Sequence, residues 1–330
     1  MLRKIQQLIK LLLPLAFGIG IVWFIMQKVD MDMLIDTIHH GISWWWVVIS
    51  WVFALIANVL RGIRWRQQLR TVGIDPSLHD MSVSFFGNYG MNLVFPRLGE
   101  VWRCNYISQS NNQPFSTVAG TILSERLCDV LCMVFYIIIC LIFETHVLIS
   151  FFFGDEKQVE TSFSTWMWFA VFLGFCLILW FILNRYCKNW GPYKYVMDIL
   201  KNVWVGFRSL KDLPNIWSYI GWSMLIWFFY FLNTLTQFYF FDFTSHLGLN
   251  ACLAVFVMGS MSQILPIQGG LGVWQMMVIF ALMLYGIGES DAHIFSIVAW
   301  TIEQIFVLVL GLYALVYVAM QKKKRLHAKS

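Results

Sequence analysis

The stretch NLVFPRLGEVWRCN, Asn92 to Asn105, interrupts a chain otherwise built of long apolar runs. It places a proline, a glycine, two arginines and a glutamate close to Phe95 and Trp102. It is either a polar loop between membrane helices or a polar element held inside the membrane. The arrangement of every other segment depends on which of these holds.

Of the 330 residues, 59% are hydrophobic and 12% are charged, with a mean hydropathy of +0.67. A soluble domain of this length needs a charged surface, which such a composition does not supply. Apolar runs of about 18 residues or more read as membrane-spanning helices, so the chain is polytopic and all-α. The 17 Trp and 12 Tyr suit interfacial anchoring, because their rings carry an apolar body and a polar edge. The opening MLRKIQQLIKLLLPLAFGIGIVWFIMQK sets basic residues ahead of an apolar segment. That segment is too long for a signal peptide and no small-x-small cleavage site follows it, so it reads as a retained first helix.

The net charge of +5 is modest and sits in loops and tails, which gives no reason to expect nucleic acid as a partner. The seven cysteines include no CxxC pair and no Cys/His cluster. Cys128, Cys132, Cys140, Cys176 and Cys252 lie in apolar runs, where they read as small buried hydrophobes. Asp30, Asp32, His39 and His40 fall in a connecting segment and are not read as a metal site. No cofactor is expected.

Six full spans stand out, at about residues 8–27, 44–60, 117–143, 164–184, 216–241 and 292–319. The segments between them alternate in charge. Arg3, Lys4 and Lys10 open the chain, KVDMDMLID (Lys28 to Asp36) is mainly acidic, and RGIRWRQQLR (Arg61 to Arg70) is strongly basic. GDEKQVE (Gly154 to Glu160) is acidic, Arg185 to Lys211 is basic, and the tail QKKKRLHAK is basic. Lys/Arg bias marks the cytoplasmic side, so both termini are expected inside a cell inner (plasma) membrane. The arginine run and the tail read as topogenic charge rather than as a site for lipid headgroups.

Two segments do not fit as full spans. Residues 80–110 hold an apolar stretch, then PRLGE, then a return toward the same side. Residues 250–288 hold ACLAVFVMGSMSQIL, then PIQGG, then LGVWQMMVIFALMLYG. Each arm has roughly 15 residues, short for a crossing, and Pro and Gly break the helix at the midpoint. Both read as re-entrant helical hairpins, with tips at Pro96 and Gly99 and at Pro266, Gly269, Gly270 and Gly272. Each half then runs span, span, hairpin, span, so residues 1–330 form one integral membrane domain. Its halves, about 1–150 and 151–330, make an inverted repeat, the arrangement that points to a transport site near the midplane.

Charged residues occupy this apolar setting. Arg97, Glu100 and Arg103 lie at the first tip, Glu125, Arg126 and Asp129 lie in the third full span, and Glu303 lies near the middle of the last. A charge at the bilayer centre costs ~2.5–3.5 kcal/mol on insertion scales, so such residues face a protein interior or a water-filled cavity. Glu125 shares a helix face with Asp129, and Arg126 and Asp129 can also meet. The acids can reach Arg97 and Arg103 across the bundle, either to fasten a hairpin or to form a site. Two guanidiniums near a hairpin tip form a natural anchor for phosphate. Asn88, Asn92, Gln263 and Gln275 read first as hydrogen-bond partners for broken backbone; Asn92, Gln275 and Glu303 are secondary site candidates.

The motifs Pro96-Arg97-Leu98-Gly99-Glu100 with Asn92 and Arg103, SERLCD (Ser124 to Asp129), and PIQGGLGV (Pro266 to Val273) occur in this order. Together they resemble the lysylphosphatidylglycerol synthase transmembrane region, a flippase-like integral membrane family, and the resemblance covers essentially the whole chain. It implies a role like that of the membrane halves of the multiple peptide resistance factors, which move aminoacylated phosphatidylglycerol between leaflets. The chain departs from the pattern at Gln275, where an acid is common, and at Gln268, where proline is common, which puts any proton or amine role of that acid in doubt. The sequence ends at QKKKRLHAKS without the soluble aminoacyltransferase domain, so lysyl transfer is not expected.

The leading expectation is translocation of an anionic phospholipid, an aminoacyl-phospholipid or a polyprenyl-phosphate lipid, with membrane lipids as partners. Arg97 and Arg103 would hold phosphate, while Glu100, Glu125, Arg126 and Asp129 orient them or meet a cationic headgroup. The alternative is a membrane-embedded enzyme acting on lipid-linked substrates, with Glu125 and Asp129 as acid and base, or an accessory to a lipid-modifying transferase.

Overall fold

A computed structural model describes residues 20–94, 98–144, 213–262 and 268–327, apart from Lys28, Asp30 and Pro214. Most of the expected first span, the expected span at 164–184, and Pro96, Arg97, Cys176, Gln263 and Pro266 lie outside the described residues. All regular structure among the described residues is helical. Helix α1 (Met31–His40) buries Leu34 and Thr37 and leaves His39 and His40 exposed. The acidic connecting segment thus contains the start of a short helix.

Helix α2 (Trp44–Thr71) corrects the sequence reading. The expected span stopped at residue 60 and left Arg61 to Arg70 in a loop, whereas the helix runs on through all four arginines. Nothing in RGIRWRQQLR stops a helix. The stop comes at Val72-Gly73, where the Ile74 N–H bonds the Leu69 carbonyl at 2.9 Å, the closure that ends helices at a glycine.

Helices α3 (Leu78–Val94), α4 (Leu98–Ser110) and α5 (Phe115–Phe143) follow. Helix α6 (Ile216–Phe238) begins at Asn215, whose side chain accepts the Ser218 N–H at 3.0 Å and satisfies one free donor of the first turn. Then come the short α7 (Asp242–Ser245), α8 (Leu249–Met261), a 3-10 turn (Gln268–Gly270), α9 (Val273–Leu284) and α10 (Glu289–His327).

Helices α2, α5 and α10 are long and apolar enough to cross a bilayer. Helix α6 has 23 residues and is ~35 Å long at ~1.5 Å per residue, though Trp, Tyr, Ser and Asn dilute its apolar character. Helix α8 is buried without interruption from Ala251 to Gly259; a helix apolar on every side belongs inside a bundle. Around it pack α9, α6 and α5, and Phe238, Phe240, Phe241 and the first half of α10 belong to the same apolar core. Cys128, Cys132, Cys140 and Cys252 are free thiols buried in the apolar interior.

Helices α2 and α6 run antiparallel, with Ser50 meeting Asn233, Arg64 meeting Ser223 and Gln67 meeting Ser218. Trp44 and Trp45 at the start of α2, and Trp217 at the start of α6, are exposed at opposite ends of this pair. Interfacial tryptophans occupy such positions.

The pairs α3–α4 and α8–α9 are each interrupted by a break. Their arms have 17, 13, 13 and 12 residues. At ~1.5 Å per residue these are ~26, ~20, ~20 and ~18 Å long, shorter than the ~30 Å hydrocarbon core. At each break an amide side chain takes up a free backbone donor. Asn92 Oδ1 accepts the Gly99 N–H at 2.9 Å, and Gln275 Oε1 accepts the Gly272 N–H at 2.7 Å. Gly269, Gly270 and Gly272 have φ of 58°, 69° and 82°, conformations open to glycine without a Cβ penalty.

Helix α3 packs against α10 and touches the 3-10 turn, while α9 also packs against α10. The 3-10 turn also borders α10, where Trp300 donates to the Gly269 carbonyl at 2.9 Å. The α3–α10 contact is backbone to backbone: a Cβ added at Gly90 would lie 2.7 Å from the Cα of Gly311. A Gly90→Ala substitution must push the helices apart, an overpacking cost of ~1–3 kcal/mol. It should lower the thermal midpoint of the detergent-purified protein, and an unchanged midpoint would show that this contact is not tight.

Candidate functional site

Arg61, Arg64 and Gln68 fall on one stripe of α2, at the three- and four-residue spacing that shares a helix face. Arg103 projects from α4, and Ser124, Glu125 and Asp129 project from α5. The three stripes converge on the Glu125 carboxylate, which is fully buried. Arg103 donates from Nη2 to Oε2 at 2.7 Å and from Nη1 to Oε1 at 3.3 Å. Arg61 Nη2 donates to Oε1 at 3.2 Å, and Arg64 Nη2 lies 3.6 Å from the same oxygen.

Arg64 turns its other contacts outward, to Asp129 Oδ1 at 2.7 Å and to Ser223 Oγ of α6 at 3.1 Å. Arg61 Nη1 donates to the Tyr89 hydroxyl and lies 3.5 Å from that of Tyr230. Aromatic rings line the guanidiniums. Arg103 sits 4.6 Å from the Trp65 ring centre and 4.8 Å from that of Phe85, and Arg61 lies 4.8 Å from Phe85 on its own account. Such faces attract cations most strongly where water is excluded. Trp65 is itself held by Thr121 at 2.8 Å, and Gln68 by Ser124 at 2.9 Å and Tyr219 at 2.8 Å.

Three guanidiniums thus face two carboxylates, leaving one positive charge in excess. Arg64 Nε and Arg103 Nε are buried with no acceptor among the described residues. At the rim, Arg126 pairs with Glu100 and approaches Asp129 to 3.9 Å; both Arg126 and Glu100 are open to the surroundings. The cluster therefore has a closed interior around Glu125 and an accessible edge.

Of the residues expected from sequence, Glu100, Arg103, Glu125, Arg126 and Asp129 come together in this cluster. Asn92, Gln275 and the glycines at 269, 270 and 272 build the helix breaks instead. Gly99 presses α4 against the Asn88 carbonyl, where an added Cβ would overlap it. Glu303 lies apart, accepting hydrogen bonds from Ser50, Asn233 and Gln237. Arg61 and Arg64 were expected as topogenic loop charge, and the structure corrects this: both are buried inside the bundle. Tyr89, Ser223 and Tyr230 were not anticipated. The spacing signal was present, since Arg61, Arg64 and Gln68 share a stripe while Arg66 and Arg70, four apart, share another.

Arg66 and Arg70 lie outside the cluster. They hydrogen-bond Asp75 in the loop after α2, at 2.7 and 2.9 Å. The bonds from Arg70 and then Arg66 hold the Asp75 carboxyl below its ordinary value.

The fold and site define a helical membrane protein with an arginine-rich, carboxylate-compensated cluster inside its bundle. Residues 11–311 match the family described as the lysylphosphatidylglycerol synthase TM region, and the chain belongs to that family. Family and apolar helices together make it a multi-pass membrane protein. Comparison with curated proteins and with solved structures finds no match.

Removing one partner of a buried ion cluster leaves uncompensated charge, at a cost of ~3–5 kcal/mol. Glu125→Gln should therefore lower the unfolding free energy in detergent by about that amount, whereas Asp75→Asn, at an exposed pair, lowers the midpoint only slightly near neutral pH. The Asp75 contribution is present above the ordinary aspartate range and is lost only as pH falls through its lowered value. Equal effects of the two substitutions would contradict the assignment of Glu125 as the hub.

Proposed function

We propose that this protein moves a lipid with a phosphate headgroup between leaflets, and that the arginine cluster around Glu125 is where the phosphate is held. The observation that carries this reading is the surplus guanidinium charge at a site inside the bundle. A bundle that needed only fastening would be served by matched pairs; three arginines against two carboxylates leave capacity for a further anion. Guanidinium forks suit phosphate oxygens because two parallel N–H donors match their geometry.

In the resting arrangement Glu125 and Glu100 serve as stand-in anions for the arginines. An arriving phosphate meets Arg126 at the rim; Arg97, outside the described residues, is a further candidate from the sequence. It then competes with the carboxylates for donors from Arg61 and Arg103. The exchange replaces one charge-assisted bond by another, so the site need never hold bare cations. Asp129 keeps Arg64 in place throughout. For an aminoacyl headgroup, the carboxylates freed from arginine become acceptors for its amine.

The same reading assigns the α3–α4 and α8–α9 pairs as re-entrant hairpins entering from opposite sides, within an inverted repeat of residues about 1–150 and 151–330. Their short arms, amide-stapled breaks and shared packing on α10 support this. Arg66, Arg70 and the basic tail then mark the cytoplasmic side, which puts the arginine cluster toward the inner leaflet of the cell membrane. In the alternative reading, Glu125 and Asp129 work as an acid and a base. Both are committed to guanidiniums, which leaves neither free to trade protons with a substrate.

Purified protein in vesicles containing fluorescent phosphatidylglycerol tests the proposal, with a membrane-impermeant quencher reporting leaflet exchange. Exchange should exceed that of protein-free vesicles and fall at least tenfold in Arg103→Lys, which keeps the charge and loses the fork, while the thermal midpoint stays within a few degrees. No exchange above protein-free vesicles, for this lipid and for a polyprenyl phosphate, would overturn it.

A further inference from the structure

The seam between α2 and α6 carries a second polar site. Along α6, Ser223, Tyr230, Asn233 and Gln237 share one face, and along α2, Ser50, Asn58, Arg61 and Arg64 face them. The end nearest Arg64 belongs to the arginine cluster. The other end is capped by Glu303 from the middle of α10, ~16 Å from Arg61 as measured by the eleven residues of α2 that separate Ser50 from it.

Glu303 differs from Glu125 in its company. Its Oε1 accepts from Ser50 Oγ at 3.0 Å, Asn233 Nδ2 at 3.1 Å and Gln237 Nε2 at 3.3 Å. All three donors are neutral. Asn233 Nδ2 also donates to the Ser50 hydroxyl and carbonyl oxygens at 2.9 and 3.0 Å, and Gln237 Nε2 donates to Asn233 Oδ1 at 3.0 Å, which fixes the amides. Glu303 forms no ion pair with any described residue, and no described group hydrogen-bonds its Oε2.

We propose that Glu303, held by Ser50, Asn233 and Gln237, is a proton-exchange site. A carboxylate in a membrane-spanning helix must be compensated or neutralised. Burial opposes its charge and donated hydrogen bonds favour it, and a carboxyl poised between these two effects is suited to binding and releasing a proton. One proton adds at Oε2 and leaves from Oε2, and no other bond changes. The orientation of the neighbours distinguishes a proton from a metal cation. Ser50, Asn233 and Gln237 turn O–H and N–H donors toward the carboxyl, whereas a metal ion requires their oxygens.

The surroundings leave Glu303 as the titrating group of this site. Helix α6 contains no Asp, Glu, Lys, Arg or His, and α9 contains none either. Within the apolar part of α10, Glu303 is the sole charged residue between His293 and the basic tail. The 3-10 turn, which Trp300 holds through Gly269 at 2.9 Å, carries no charge. On α2 the nearest charge is Arg61, which reaches the seam through Tyr230 of α6, three residues from Asn233. On α3, Tyr89 is bound to that same arginine.

The test reads the carboxyl itself, so it stands or falls independently of lipid movement. Infrared spectra of the protein in phosphatidylcholine–phosphatidylglycerol vesicles are recorded through a pH titration in H2O and D2O. A protonated-carboxyl C=O band should appear as pH falls, shift in D2O, and be missing in Glu303→Gln. Gln237→Leu keeps the carboxyl but removes one donor to its ionised form, and should move the midpoint upward by roughly half to one pH unit. Should Glu303→Gln fail to fold, Gln237→Leu carries the test. A titrating band unchanged in Glu303→Gln, a midpoint unmoved in Gln237→Leu, or a carboxylate band that follows Na+ at fixed pH would each overturn the proposal.

Discussion

One carboxylate gathers three guanidiniums in the interior of this bundle, with Asp129 sharing the charge of Arg64. Glu125 is bound by Arg103 and Arg61 and lies within ion-pair distance of Arg64. Its removal would leave Arg61 and Arg103 without an acidic partner among the described residues, in a medium that cannot solvate them. Its partners come from α2 and α4 while Glu125 itself stands on α5, so the same interaction that neutralises the charge joins the broken α3–α4 pair to two long helices. Any mobile element of this fold has to move around that joint, or open it with a competing anion.

In the proposed function, that competition is the link from structure to lipid movement. Lipid cannot solvate a phosphate, so a protein that carries one across must present donors already inside the bundle. Donors without acceptors are too costly to keep there, and carboxylates are the natural placeholders. The rim pair of Arg126 and Glu100 and the interior hub at Glu125 form two such donor–placeholder sets in sequence. The uncharged amides of Asn92 and Gln275 serve a different purpose: they satisfy backbone that would otherwise be exposed at a helix break.

Much of this was legible from residue types alone. Apolar length marked helices α2, α5, α6 and α10, and Pro-Gly punctuation marked both breaks. Charged residues in apolar runs marked Glu100, Arg103, Glu125, Arg126 and Asp129. The arginine run on α2 was misread because a basic segment at the end of an apolar one reads as a loop, and hydropathy has no means to tell a buried arginine from a solvated one. Helical phase separates them: Arg61 and Arg64 point at Glu125, whereas Arg66 and Arg70 point at Asp75. Which aromatic and hydroxyl groups complete the shell, among them Tyr89, Ser223 and Tyr230, depends on packing between helices distant in sequence, which no local pattern encodes.

Native mass spectrometry of the protein released from mild detergent tests the central claim most directly. The claim predicts that wild-type protein retains an anionic, phosphate-bearing lipid and that retention drops sharply in Arg61→Lys and Arg103→Lys, which keep the charge but lose the forked donor geometry. Equal retention of that lipid by wild type and both variants, or retention of neutral lipids alone, would contradict it.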